Sequence, residues 1–254
     1  MSDPTQKLLL KEAAKRKIAI GIIIKNVLYL LSYKKHREYL CRQFFSQTNS
    51  VGYFCSKNKY ITKLLLKENG LRAPYGRIFK KNQFSKAQIF ASKIGYPLVM
   101  KPSTGLKGYC VFSNTKNPKE LKENWHNIFN HYHELLMEEQ INGTEYRLLA
   151  TPNKFLAAVK KVFANKDSLE ESYCDTTTTI HPFWQKLSTK IIRTIPGLSY
   201  GGIDLIAEDI SQKPTDDSYA ILEVNASPDI SIHNFPKSNI AKEIIDLVFP
   251  ETKN

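Results

Sequence analysis

The sequence predicts an α+β protein: two α/β subdomains with mostly antiparallel sheets behind a short N-terminal cap. Three observations carry this. Helix-period segments alternate with short β-branched or aromatic runs from Asn58 onward. EYRLLAT with FLAAVKKVF, and GGIDLIAEDI with YAILEVNAS, are joined by short polar breaks, the spacing of antiparallel hairpins. At 254 residues with 42% hydrophobic side chains, the chain has enough apolar surface for a sizeable core.

Taken in order, residues 1–57 form the cap: a charged amphipathic helix up to Lys17, then the runs IAIGIII, VLYLL and YLCRQFF. Residues 58–136 form a smaller subdomain. NKYITKLLLKENG is a helix stopped at Gly70, APYGRIF a strand, FSKAQIFASKIG a helix stopped at Gly95, and YPLVMKPS a strand that ends in a lysine. YCVFS is a further strand, Pro118 to His131 a helix, and ELLMEEQI a strand leading into the larger subdomain, residues 137–254. There EYRLLAT and FLAAVKKVF pair around Pro152-Asn153, DTTTTIHP is a loop and FWQKLSTKIIRTI a helix. GGIDLIAEDI and YAILEVNAS make a hairpin across the polar segment Ser211 to Ser218, and a last helix runs from Ile240 to Phe249.

The bulk properties bound the function. A net charge of +13 favours anionic partners, although the lysines are spread along the whole chain and also fit a solvated surface. The cysteines at 41, 55, 110 and 174 form no C-x-x-C pair, which argues against a zinc site or a disulfide framework and for a reduced, cytoplasmic setting. Ile18 to Tyr33, interrupted by Lys25 and Asn26, is too short for a comfortable membrane span, and Met1 to Arg16 does not read as a signal peptide. No membrane association is expected. KKHREYLCRQFF is the one basic stretch with interleaved aromatics, and it fits a surface element as well as a nucleic-acid contact.

Four clusters carry chemistry. In VMKPSTGLKGYCV, Lys101 ends a strand and Gly105 and Gly108 punctuate a turn in which backbone N–H groups can approach phosphate oxygens; the two glycines alone read first as a plain hairpin. In LLMEEQINGTEYRLL, main-chain groups of Glu139, Gln140 and Ile141 suit an adenine edge and Glu145 suits ribose hydroxyls, against the alternative of a solvated acidic hairpin. In AAVKKV, Lys160 and Lys161 alternate faces, so only one of them points into a site. In GGIDLIAED and ILEVNASP, Asp204, Glu223 and Asn225 offer three hard oxygen donors on adjacent strands, a set suited to Mg2+ already held by ATP phosphates. Burying Glu223 without such a partner would be costly.

In their order, NKYITKLLL, GYPLVMKPSTGLKG, MEEQINGTEYRLL, GGIDLI and ILEVNASPDISIHNFP resemble the ATP-grasp ligases, and within them the branch shared by cyanophycin synthetase and the bifunctional glutathione synthetases. DTTTTIHPFWQKL is similar to that branch's D-x-T loop and histidine, and the resemblance covers roughly Thr48 to Pro250. It implies the ATP-grasp fold and an ATP-dependent carboxylate–amine ligase that forms an amide through an acyl phosphate. Lys59, and less directly Lys63, would flank the nucleotide, Lys101 and Lys160 would bind phosphates, and Glu138 to Ile141 would form the adenine hinge. Glu145 would hold the ribose, Arg147 would serve the reaction, and Asp204, Glu223 and Asn225 would hold two Mg2+ ions, with Mn2+ as a substitute.

The expected partners are a small-molecule or peptide carboxylate and an amine acceptor of acidic character, and a homo-oligomer is compatible with the resemblance. Cys110 stands where the family often has a third glycine, NKDSLEES replaces an expected Gly-Asp-Gly segment, and the region before Thr48 is short, so no second catalytic domain is expected. These departures keep a rival open, a non-catalytic ATP-binding scaffold of the same fold. His181 and His233 are read as packing or substrate-contact residues rather than general bases, and Ser227 is ranked below the metal ligands.

Overall fold

The computed structural model describes residues 3–105, 108–163, 171–215, 218–235 and 238–253. Leu106 and Lys107 of the glycine-bearing turn, residues 165–170 of NKDSLEES, residues 216–217 of the hairpin connection and Pro236 of SIHNFP lie outside them. Helix α1 (Pro4–Lys15) precedes a meander of β1 (Ala19–Ile24), β2 (Leu28–Tyr33), β3 (His36–Cys41) and β4 (Phe44–Phe45). Then come α2 (Ser50–Lys57), α3 (Lys59–Glu68), β5 (Gly76–Lys80), α4 (Phe84–Ile94), β6 (Leu98–Pro102), β7 (Phe112–Thr115), α5 (Pro118–Phe129) and β8 (Glu134–Glu139). The chain continues through β9 (Thr144–Ala150), β10 (Phe155–Phe163), β11 (Glu171–Asp175), α6 (Pro182–Thr194), β12 (Gly201–Ala207), β13 (Tyr219–Asn225) and α7 (Ile240–Val248). All described strand pairs are antiparallel, in three sheets ordered β1-β2-β3-β4, β5-β8-β6-β7 and β11-β10-β9-β12-β13.

Short polar caps set the helix starts. The Asn58 side chain accepts from the backbone N–H groups of Tyr60 and Ile61, and Asn117 accepts from Glu120 ahead of Pro118 at the first helical position. Several elements differ from the sequence expectation. Ser50–Lys57 is helical, started by Asn49, and Gly52 lies so close to Gly197 that an added Cβ would sit 2.7 Å from its backbone. Glu171–Asp175, for which the sequence predicts no element before Asp175, pairs with β10 as a fifth strand, and the strand expected at YCVFS begins only at Phe112, because Tyr109 and Cys110 form the turn that follows Gly108.

The sheets hold separate cores. Phe79, Leu98, Met100, Trp125 and Met137 fill the small sheet's face under α4 and α5. Trp184, Leu148, Ile191, Leu205 and Ile221 fill one face of the large sheet under α6. Helix α3 opens the 58–136 segment but seats Leu66 in this second core, so it belongs by packing to the large sheet. The other face of the large sheet, through Leu149 and Ala157, joins Leu9, Leu31 and Phe45 of the cap and Ile244 and Phe249 of the C-terminal helix. Arg16 of α1, largely buried, reaches Asp246 of α7 at 2.5 Å and stitches the cap to that helix. Among the described residues, no helix is long and apolar enough to cross a membrane.

Candidate nucleotide and metal site

The register of the large sheet gathers the polar residues. Val159, Arg147, Asp204 and Glu223 lie opposite one another across β10, β9, β12 and β13, and directly opposed residues share a face. Residues two positions away extend the row with Glu145, Lys161 and Asn225. On β13 the pairing shifts between Asp204 and Leu205, leaving Leu222 as an extra residue. This bulge lets Ile221 and Val224, three apart, both face the apolar core while Glu223 and Asn225 both face the site. A regular strand would have sent Ile221 or Val224 to the wrong side, whereas Glu223 and Asn225, two apart, share a face in either case.

Short contacts knit the group together. Arg147 forks onto Asp204, with Nε 2.5 Å from Oδ1 and Nη2 2.6 Å from Oδ2. Asn225 Nδ2 donates to Asp204 Oδ2 and to Glu223 Oε1, each at 3.1 Å. Lys59 Nζ, from the start of α3, lies 2.9 Å from Glu223 Oε2 and 3.5 Å from the Gly105 carbonyl. The backbone N–H of Lys59 donates to the Ser103 carbonyl at 2.9 Å, so α3 ties the glycine-bearing turn to the carboxylates. Burial and the neighbouring Glu223 push Asp204 up to about 6 against the pull of Arg147. Burial works against Glu223 too, but Lys59 and the hydrogen bonds from Asp204 and Asn225 bring it down to about 2.

The small sheet forms the opposite wall. Val99 and Lys101 of β6 alternate with the core residues Leu98 and Met100, so they turn away from α4 and α5, as does Glu138 opposite Val99. Glu138 is buried and takes both Lys101 and Lys63, the latter at 2.8 Å. Gly76 sits across from Glu138, and a Cβ there would come within 2.8 Å of the Glu138 Cβ. Glu139 exchanges contacts with Tyr75, accepting from its N–H at 2.8 Å, and Gln140 Oε1 accepts from the Asn114 N–H at 3.0 Å. Gln140 and Ile141 lie in the short link between β8 and β9, the connection between the two sheets. Gly108 is left-handed at φ 70°, and Cys110 adopts the same region at φ 57°, so the position where the family often has glycine keeps a glycine-like backbone.

The structure does not bring Lys160 into this group. It pairs in register with Tyr146, on the face that carries Leu148 and Leu205, and it is exposed beside Asp209. Lys161 faces the site instead, 3.3 Å from Glu145. The register with β9 decides this, and sequence alone does not supply it, because Ala157, Ala158 and Val159 are all buried and hide the strand's phase. His181 is the N-cap of α6, its Nδ1 accepting from the Phe183 N–H at 3.1 Å. His233 is fully buried with neither ring nitrogen hydrogen-bonded, and burial together with Arg147 pushes its pKa down to about 4. Ser227 bonds Gln43 of the cap, and Asp229 accepts from Thr5 of α1 at 3.1 Å, so the segment after the ligands turns toward the cap.

Among the described residues no group of three or more His, Cys, Asp or Glu is placed to hold a metal, so the oxygen set is two carboxylates and one amide. That set fits Mg2+ held jointly with phosphate oxygens, since a turn of the Asn225 amide would present its oxygen beside the two carboxylates.

The profile of the RimK-like ATP-grasp domain matches residues 56–248. The chain belongs to this ATP-grasp family. The RimK-like chain is 21% identical to cyanophycin synthetase of Geminocystis herdmanii, over 98% of its own length and 36% of that protein. It is 26% identical to the glutathione biosynthesis bifunctional protein GshAB of Listeria welshimeri, over 96% of its length and 40% of that protein. The crystal structure of a bifunctional glutathione synthetase from Pasteurella multocida superposes with a TM-score of 0.73 at 20% identity, covering 98% of this chain and 44% of that one. The RimK-like chain thus spans less than half the length of these relatives, and it has their ATP-grasp fold.

Proposed function

We propose that this chain is an ATP-dependent carboxylate–amine ligase that forms an amide or peptide bond with release of ADP and phosphate. The observation that carries the proposal is the facing of two walls: Asp204, Glu223, Asn225 and Arg147 on one sheet, and Lys101 on the other, with Lys59 reaching between them. An oxygen of the substrate carboxylate attacks the terminal phosphorus as ADP leaves. The amine nitrogen then bonds to the carbonyl carbon of the acyl phosphate as phosphate leaves and a proton departs from nitrogen. Neither step needs a protein nucleophile, so the chain's work is positioning and charge neutralisation.

Lys101 and Lys59 neutralise phosphate oxygens, and the main chain of Glu138 to Ile141 receives the adenine edge, with Glu145 toward the ribose. Lys161, on the site face, takes the role that the sequence assigns to Lys160. Arg147 keeps Asp204 ionised and aimed. Asp204, Glu223 and Asn225 would hold Mg2+, two ions in all with Mn2+ able to substitute, and the metal supplies charge neutralisation at the phosphates when bound. Gly105 and Gly108, at the two ends of the glycine-bearing turn, would let backbone N–H groups approach the phosphate oxygens. The net charge of +13 favours an acidic amino acid or short acidic peptide as acceptor.

A panel of amino acids and short acidic peptides, assayed for ADP and phosphate release with mass spectrometry of the products, tests this reading. Amide product with equimolar ADP is expected. Tight ATP binding with no turnover on any acceptor would favour a nucleotide-binding scaffold, and absence of ATP binding would refute the site.

A further inference from the structure

Two lysines and one carboxylate lie buried together in the wall of the cleft. Lys63, Lys101 and Glu138 are 6%, 7% and 1% exposed, and they come from α3, β6 and β8. One carboxylate therefore faces two cations. The contact of Lys63 Nζ with Glu138 Oε2, at 2.8 Å, is an ion pair rather than an aligned hydrogen bond, because neither atom has a hydrogen-bond partner. Lys101 holds the other oxygen, Oε1.

The arrangement poses a problem that Lys63 solves. For Lys101 to bind a phosphate oxygen it must loosen its hold on Glu138. A fully buried carboxylate stripped of its only counter-charge is strongly unfavourable, so with a single lysine Glu138 would keep Lys101 for itself. A second cation on the far oxygen removes that constraint.

We propose that Lys63 is a positioning residue that acts through Glu138: it stays with the carboxylate as a fixed counter-charge and so releases Lys101 to an incoming phosphate anion. The source of Lys63 supports this division of labour. Helix α3 is anchored by Leu66 in the core of the large sheet, whereas Lys101 and Glu138 belong to the small sheet, so Lys63 approaches Glu138 from a separately anchored element. The charged groups around Lys63 are Glu138 and Glu139 from β8 and Lys101 from β6, and burial and the Lys101 charge both lower its pKa, against the pull of the two carboxylates. An anionic phosphate beside Lys101 offsets that repulsion.

The inference rests on the nucleotide reading above, and a double-mutant design keeps the two separable. ATP affinity is measured by calorimetry on wild type, Lys63→Met, Lys63→Arg and Lys63→Met combined with Glu138→Gln. Lys63→Met should weaken ATP binding about tenfold or more, since Lys101 becomes the only counterion of Glu138. Lys63→Arg should keep most of the affinity, and the Glu138→Gln change should restore to Lys63→Met most of what it lost, because a neutral amide no longer retains Lys101.

Wild-type affinity in Lys63→Met, or a double variant as weak as the single, overturns the positioning role. Failure of wild type to bind ATP overturns the nucleotide reading itself. Lys63→Gln serves as a second neutral variant, and if neither neutral variant folds by circular dichroism, Lys63 is structural and the proposal fails.

Discussion

Removing the Arg147 guanidinium gives a prediction whose size follows from the geometry. Arg147→Met keeps the aliphatic stem and deletes both bonds to Asp204, at 2.5 and 2.6 Å. Asp204 then stands beside Glu223 without its main cation. Stripping one partner from a buried ion pair costs roughly 3–5 kcal/mol, and with side chains 24% and 19% exposed the low end applies, about 3 kcal/mol at pH 7. The loss is bounded by protonation. Asp204 already sits near 6 with Arg147 present, so without that cation its pKa rises further and the carboxyl takes up a proton more readily.

Lowering the pH therefore shrinks the difference between variant and wild type, since wild-type Asp204 is also protonating below 6 and its pairing with Arg147 is then worth less. Urea unfolding followed by the fluorescence of the buried Trp184 and Trp125 at pH 7.5 and pH 5 reads both quantities. A difference below about 1 kcal/mol at pH 7.5, or one that grows toward pH 5, would refute the assignment of Arg147 as the counterion of Asp204.

Further outcomes follow from other groups. Glu223→Ala should reduce ATP-dependent turnover by at least about a hundredfold with an unchanged circular dichroism spectrum, and retained turnover would remove Glu223 from the metal site. His233, buried neutral with its pKa near 4, loses stability as pH falls, because the unfolded chain takes up the proton first, near 6.5. The loss amounts to about 2 kcal/mol between pH 7 and pH 5, and it should be absent from the acid limb of His233→Leu. Cys110→Gly should raise stability by about 1 kcal/mol by relieving a left-handed side-chain residue, and a lower melting temperature would show that the thiol packs favourably.

Much of this fold is legible in the sequence where local signals agree. The apolar spacing of NKYITKLLL and the run from Pro118 announce their helices, Gly70 and Gly95 mark where α3 and α4 stop, and the hairpin of β12 with β13 follows from two apolar runs around a polar turn. Helix α2 is not legible, because its packed face is Gly52 and Ser56 while Val51 and Phe54 stay exposed, so its apolar residues do not mark the buried side; the Asn49 cap and the close approach of Gly52 to Gly197 hold it in place. In the site, the i, i+2 spacing of Glu223 and Asn225 predicts that they share a face, and Asp204 is then found directly opposite Glu223 on the neighbouring strand. Which of Lys160 and Lys161 joins them is not, since it depends on a register set by contacts distant in sequence. The pairing of Lys63 with Glu138 is hidden for the same reason: it crosses from a helix anchored on one sheet to a strand of the other.

The shared core of the cap and the C-terminal helix has a consequence for biogenesis. Leu9, Leu31 and Phe45 find their packing partners in Ile244, Ile245 and Phe249, some two hundred residues later, and Arg16 finds Asp246. The apolar face of the cap is therefore covered in part by Leu149, Ala157 and Tyr200 and is completed only once α7 has been made. Sealing this core is a matter of closing a very long stretch of chain, so it depends on everything between the cap and α7 having found its place.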